Sequence, residues 1–362
     1  MSTLRDALTI IIPFKDRLAH TARLISYLQF SGFPGRIIFA DGCPDPAIAT
    51  LMADRAAFPN LAYTYIRHPP SDSLAGLFAR MRDAADQVET PYVVWHSNDD
   101  FYFVETLQRA VAFLDANPDY VGATGELADF MMQPRPEFGP LNRVYGALAI
   151  PGKVFRAQSY PQPQALDRLN AHTTELFNNG PAYSICRAPL FREIWRTIVA
   201  ANPPDWHFAD RYFVSLLLAA GKLHGEIGYL ALHQSDGFTA GLEMITRDPT
   251  WYHWCQRPEW LEAFNTLVQT VGEAIAAREG GDPAVASNRF RYQLLAIVGR
   301  AVVDVHHPEG RIEVPMPSSA ELVGRLQAYP ETQWILRFLN MATTTLEQRL
   351  AAPAPAPAPA GA

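Results

Sequence analysis

Apolar and polar positions along the first hundred residues fall into two alternating patterns. Ala7 to Phe14 (ALTIIIPF) is a short, apolar, β-branched run stopped by Pro13, which predicts a strand buried on both faces of a parallel sheet. Leu18 to Phe30 follows, with Leu24, Tyr27 and Leu28 at helical spacing, and Gly32-Phe33-Pro34-Gly35 breaks it before a second run, Ile37-Ile38-Phe39-Ala40. The alternation continues with a helix at Pro46–Ala57, a strand at Leu61–Ile66, a helix at Ser73–Val88 and a strand at Tyr92–Trp95 that ends in His96-Ser97-Asn98-Asp99-Asp100. Strands alternating with helices predict an α/β fold with a doubly wound, Rossmann-like sheet. Ligands in such sheets sit at the carboxyl ends of the strands, where this chain presents Pro13–Arg17, Asp41-Gly42 and Asn98–Asp100.

After a helix at Val104–Ala116 the chain turns irregular and proline-rich from Met131 to Pro163, long enough to predict a lid or acceptor-binding loop. Regular structure resumes at Ala182–Cys186, with helices at Pro189–Ala200 and Ala209–Ala220 and a strand at Gly228–Leu232. From Thr250 the pattern is mostly helical: Glu259–Arg278, Ser287–Val303, Ser319–Ala328 and Glu331–Leu350. The expected division is therefore a catalytic domain over 1–245, a helical C-terminal appendage over 246–350 and an unpacked Pro/Ala tail over 351–362.

Composition narrows the function classes. The 362 residues are 48% hydrophobic and 19% charged, which is globular rather than disordered. A net charge of −7 argues against nucleic acid held by a basic face, so any anionic ligand must be gripped locally. Cys43, Cys186 and Cys255 are odd in number and widely spaced, which indicates neither a disulfide framework nor a cysteine zinc site and fits a reducing cytoplasm. No secretory leader and no membrane-spanning run is apparent, so the expectation is a cytoplasmic protein, at most peripheral to the inner membrane face.

Adjacent carboxylates at a strand end, Asp99 and Asp100, offer two oxygen ligands to one hard cation such as Mg2+ or Mn2+; the plainer reading is an N-cap for the helix at Val104. Asp41-Gly42 is a tight turn by itself, or a carboxylate placed to accept from a base or ribose. No Gly-x-Gly-x-x-Gly follows the first strand and no P-loop occurs, so phosphate must be met otherwise. The cluster Trp251, Tyr252, Trp254 and Trp260 reads as core before sugar platform, and His306-His307 as surface before metal site. Asn178-Asn179-Gly180 is a turn or an acceptor contact, and the amphipathic Glu331–Leu350 helix packs within the appendage before it touches a membrane.

These segments carry a resemblance. LTIIIPFKDR (Leu8–Arg17), RIIFADGCPD (Arg36–Asp45), ARMRDAADQVETPYVVWHSNDD (Ala79–Asp100), SICRAPLFREI (Ser184–Ile194) and FADRYFVSLLLAAGKLHGEIGYLALH (Phe208–His233) resemble, in order and spacing, family 2 glycosyltransferases of the GT-A fold. Asp99–Gly125 is similar to a bacterial subgroup with an Asp-Asp-Phe motif. The resemblance covers about the first 240 residues. It implies that Pro13, Arg17 and Asp41 bound the nucleoside pocket, that Arg80 approaches the diphosphate, that Asp99 and Asp100 form the metal-binding motif with His233 nearby, and that Asp210 is the catalytic base. The plainer reading of Asp210 is a helix cap or a partner of Arg211. The chain departs from the family pattern at Asp16, Met81, Asn98 and Ala209, and lacks the Gln-x-x-Arg-Trp motif of processive polymerases.

The resulting expectation is a metal-dependent, inverting glycosyltransferase that moves a sugar from a nucleotide-sugar donor to a surface-glycan precursor or another glycan, lipid-linked or protein acceptor. The cation would neutralise the leaving diphosphate while Asp210 takes the acceptor proton. Two alternatives stay open: a degenerate GT-A domain that binds carbohydrate or acts as a scaffold, and a sugar-phosphate nucleotidyltransferase. A homodimer through the C-terminal helices is a further option.

Overall fold

A computed structural model describes residues 3–340 apart from 16, 72, 175–179, 237–250, 308 and 310–315. After a short turn of helix, α1 (Leu4–Ala7), the first half of the chain follows the expected alternation closely. It runs β1 (Leu8–Phe14), α2 (Leu18–Ser31), β2 (Arg36–Asp41), α3 (Ala47–Ala53), β3 (Ala62–Arg67), α4 (Leu74–Asp86) and β4 (Tyr92–Trp95). Local chemistry sets the ends. Gly32 closes α2 in the left-handed conformation at φ 62°, and Ser73 caps α4 by accepting from the Gly76 amide.

Next come β5 (Phe101–Tyr102), α5 (Val104–Ala116), β6 (Tyr120–Ala123), β7 (Glu126–Gln133), β8 (Ala147–Ala149) and β9 (Val154–Phe155). The chain continues through α6 (Ala165–Thr173), β10 (Ile185–Arg187), α7 (Ala188–Ala201), α8 (Trp206–Ala220), β11 (Lys222–His224) and β12 (Tyr229–Gln234). Seven strands form the central sheet in the order β11-β6-β10-β4-β1-β2-β3. β1 is parallel to both β2 and β4, β2 is parallel to β3, and β10 runs antiparallel to its neighbours. The chain thus winds outward from β1 to β3 and returns to β4 on the other side of β1, which puts the topological switch point between the ends of β1 and β4.

Burial explains the apolar runs. Ile10 and Ile12 face one apolar cluster with α2, α3 and α5, whereas Ile11 faces another with α4, α7 and α8. Both faces of the sheet are covered, and each buried isoleucine contributes about 2 kcal/mol.

The structure corrects one expectation. Met131–Pro163 is not one irregular loop: β7 begins ahead of it, and β8 and β9 both pair antiparallel with β7. Together with β5 and β12 they make a second sheet in the order β5-β12-β7-β8. Strands of two and three residues separated by prolines leave no readable period. The C-terminal helices pack on the rest of the chain at two places. Phe264, Leu267 and Val268 of helix Trp260–Glu279, and Phe290 and Leu294 of helix Pro283–His306, join the cluster that holds Phe208 and Leu217 of α8. Leu322 and Leu326 of helix Ser319–Leu326, and Ile335, Phe338 and Leu339 of helix Pro330–Leu339, cover the second sheet against Tyr27, Phe101 and Phe130. Glu331 is buried there and its Oε1 accepts from the Glu105 amide, 3.2 Å away, at the start of α5. The proposed boundary at 245, Asn178-Asn179 and the 351–362 tail lie outside the described residues. Among the described residues no helix is long and apolar enough to cross a membrane.

Candidate functional site

The strand ends at the switch point carry the chemistry. Arg17, between β1 and α2, reaches across to the turn after β4, where its Nη1 donates to Asp99 Oδ2 at 2.7 Å. Asp99 is 1% exposed; burial pushes its carboxyl up, the charge of Asp100 pushes it further, and Arg17 opposes both. Its Oδ1 is buried with no hydrogen-bond partner among the described residues.

Asp100 is fully engaged. Its Oδ1 accepts from the Gln234 amide at 2.9 Å, its two oxygens lie 3.1 and 3.2 Å from His233 Nδ1, and its Oδ2 lies 2.9 Å from His96 Nδ1. Burial alone would raise this carboxyl, but His233 and His96 hold it well below the usual carboxylate range. His233 sits on β12 in register with Asp129 on β7. Burial lowers its imidazole, yet Asp100, then Asp99 and Asp129, raise it to about 9, so His233 is an imidazolium at neutral pH. Asp129 is itself pushed up by burial and drawn down by Lys153, whose Nζ lies 3.4 Å from its Oδ2; its Oδ1 is also buried without a partner among the described residues.

Asp210 stands in the second turn of α8. The cap of that helix is Asp205, whose side chain accepts from the Phe208 amide, so Asp210 is not a capping residue. Burial pushes the Asp210 carboxyl up to about 7, Arg211 opposes and Asp205 adds. A carboxyl titrating there is suited to accept a proton at neutral pH. Tyr183 lies within electrostatic reach of both Asp210 and the acidic turn. Burial, and the charges of Asp100, Asp210, Asp99 and Asp129, push its phenol well above the ordinary value, so it stays a hydroxyl donor among four carboxylates. Its ring stacks on Trp95 with centroids 5.3 Å apart.

A second group forms at the end of β2. Asp41 is fully buried; its Oδ1 accepts from the Cys43 amide at 2.7 Å and its Oδ2 from the Tyr65 hydroxyl, the Asx-turn arrangement. A Cβ on Gly42 would collide with the Arg80 guanidinium, so the bare glycine is what lets buried Arg80 lie against this turn. Pro13 is half-buried in β1, paired with Ala40 one residue before Asp41.

The structure therefore brings Arg17, Asp99, Asp100 and His233 together, sets Asp210 within electrostatic reach of Tyr183 beside them, and places Pro13, Asp41 and Arg80 at the neighbouring strand ends. It adds His96, Asp129, Lys153, Tyr183, Gln234 and Arg23, none of which stands in a motif by itself; only His96, four residues before Asp100, offered a sequence signal. Among the described residues no three His, Cys, Asp or Glu side chains converge on one point as a metal cage. Asp100, expected as a metal ligand, contacts His233 through both carboxylate oxygens. The acceptors here that suit a hard cation are Asp99 Oδ1 and Asp129 Oδ1.

Other candidates resolve as structure. Trp254 is core: it packs on Phe208 and donates from Nε1 to Asp205 Oδ2 at 2.6 Å, and Trp260 packs on Phe264. The Trp251 and Tyr252 side chains lie outside the described residues. His306 and His307 are exposed, with His307 Nδ1 3.4 Å from Glu309.

No family model and no curated protein matches the chain. Among solved structures it is similar to residues 1–349 of S. aureus TarS in complex with UDP-GlcNAc, at 14% identity and TM-score 0.49, covering 91% of this chain and 83% of that one. It is similar to S. aureus TarS at 13% identity and TM-score 0.47, covering 80% of this chain. This chain spans 43%, less than half, of that longer chain. A third likeness is to the mannosyltransferase PcManGT from Pyrobaculum calidifontis in complex with GDP-Man and Mn2+, at 12% identity and TM-score 0.39, covering 96% of this chain and 86% of that one.

Proposed function

We propose that the chain is a glycosyltransferase that takes a sugar from a nucleotide-sugar donor and passes it, with inversion, to a hydroxyl of a glycan, lipid-linked or protein acceptor. The observation that supports this reading most is the strand-end cluster at the switch point, where cationic Arg17 and His233 meet the acidic turn, with Asp210, a carboxyl pushed up to about 7, in electrostatic reach of the neighbouring Tyr183. Sugar transfer needs both kinds of group: a base for the acceptor proton, and positive charge for the departing diphosphate. In this reading Arg17 and Arg80 meet the diphosphate, Pro13 and the Asp41 turn bound the nucleoside, and Tyr183 offers its hydroxyl to the sugar. A divalent cation, Mg2+ or Mn2+, would be held at the acidic turn, where Asp99 Oδ1 is a buried acceptor without a partner among the described residues, and would supply further neutralisation of the leaving group. The same reading places the protein on the cytoplasmic side of the membrane.

The test is a thermal-shift screen with UDP, GDP, CMP and dTDP sugars, with and without Mn2+, followed by product analysis for the donor that stabilises. A shift with transfer supports the proposal. A shift without turnover favours a sugar-binding role instead, and no shift with any donor overturns both.

A further inference from the structure

We infer that Arg23 is the positioning residue that sets the spacing between the acidic turn Asp99-Asp100 and the His233-Gln234 end of β12. The inference rests on the transferase reading above for its kinetic consequence, though not for its geometry.

Arg23 lies in the middle of α2 with no exposed surface, an unusual place for a guanidinium. Its donors reach three separate segments. Nη2 donates to the Asp99 carbonyl at 2.5 Å and to Gln234 Oε1 at 2.8 Å, while Nη1 donates to the Val144 carbonyl at 2.9 Å. Its carbon Cζ stands 4.9 Å from the centroid of the Phe101 ring, which follows Asp100 directly.

Two of these contacts converge on the same pair of carboxylates. The Asp99 carbonyl belongs to the peptide unit that joins Asp99 to Asp100, so holding it fixes the direction in which both side chains leave the turn. Gln234, held by Arg23 through its side chain, donates its own amide to Asp100 Oδ1 at 2.9 Å, next to the contact that His233 makes. One rigid fork thereby braces the turn that leads into β5 against the end of β12, its neighbour in the second sheet. Burial pulls the Arg23 guanidinium down to about 10, so it remains charged at neutral pH, supported by Asp99, Asp100 and Asp236.

A purely structural role is poorly served by this design, because a buried cation is costly and an apolar side chain would fill the same space. A lysine would keep the charge but, with a single nitrogen on a flexible stem, cannot hold three oxygens in one plane.

The experiment compares wild type with Arg23→Lys, Gln234→Ala and the double variant. It measures kcat per folded molecule, donor KM, and nucleotide affinity by calorimetry, with circular dichroism to count the folded fraction. Arg23→Lys is expected to lower kcat about 100-fold with nucleotide affinity changed only a few-fold, the signature of a displaced constellation. Gln234→Ala, which leaves the buried charge in place, is expected to lower kcat at least about 10-fold, and the double variant to fall no further than Arg23→Lys. Wild-type kcat in folded Arg23→Lys, or effects of the two changes that multiply, overturns the inference. If Arg23→Lys does not fold, wild-type kcat in Gln234→Ala overturns it. A crystal structure of Arg23→Lys decides the geometry without turnover: an acidic turn unmoved relative to Gln234 overturns the inference. A wild-type protein that transfers no sugar overturns the transferase reading alone.

Discussion

His233 Nδ1, near the end of β12, lies 3.1 and 3.2 Å from the two carboxylate oxygens of Asp100, the residue before β5. The pair extends the β5–β12 ladder by charge. His233 titrates at about 9 in the folded chain against 6.5 in its ordinary state, and its side chain is only 22% exposed. A raised imidazole contributes stability that is fully present below pH 6.5 and is lost as pH rises through about 9. The melting temperature should therefore fall across that window, by an amount corresponding to about 3 kcal/mol at most. His233→Gln should flatten the fall; parallel curves for the two proteins would refute the assignment.

Asp210→Asn should lower kcat by about 10²- to 10⁴-fold, the contribution of a positioned general base. In the wild type the rate should climb with pH through about 7, where the carboxyl loses its proton. Stability moves the other way. A carboxyl raised above its ordinary 3.8 contributes stability below that value which is lost as pH rises through about 7. At pH 8 the Asn variant should melt at or above the wild-type temperature, so a large loss of melting temperature would count against the assignment.

Arg168 is a structural counterpart to these residues. It is buried and donates to the carbonyls of Leu218, Gln162 and Pro163 at 2.7, 2.8 and 2.8 Å, closing the end of α8 onto the approach to α6. Arg168→Met strands those acceptors and should destabilise by about 2–4 kcal/mol in urea titration. Nucleotide affinity of the folded fraction should be unchanged; a selective loss of affinity would show that the residue does more than pack.

The C-terminal helices should prove inseparable from the sheet. Trp254→Ala removes a ring packed on Phe208 and the donor to Asp205 Oδ2, and should cost about 3–5 kcal/mol. A chain ended at residue 236 should fail to give a cooperative melt, because α8 would lose the apolar face that Phe264, Leu267 and Phe290 cover. A soluble, cooperatively melting fragment would contradict this.

Legibility in the sequence followed the range of each interaction. β1 to β4 and their helices were readable because apolar β-branched runs alternate with Gly and Pro breaks. β6, only Tyr120–Ala123, was not, since its strand character comes from pairing with β10 and β11, more than sixty residues later. In the site, Asp41, Asp99, Asp100, Asp210 and His233 stood in recognisable order. Arg23 and Gln234 did not, because their partners lie 76 and 134 residues away in the chain. The acidic turn was legible; the fork that holds it was not.

Glu331 accepts from the Glu105 amide, so the first turn of the helix behind the acidic turn is completed by a residue 226 positions later. On the ribosome, at about 5–20 residues per second, α5 and the Asp99-Asp100 turn emerge well before their partner. Nascent chains halted before residue 331 therefore leave the Glu105 amide to water, and this end of the second sheet lacks its cover. The site matures after, rather than during, synthesis of the sheet that bears it.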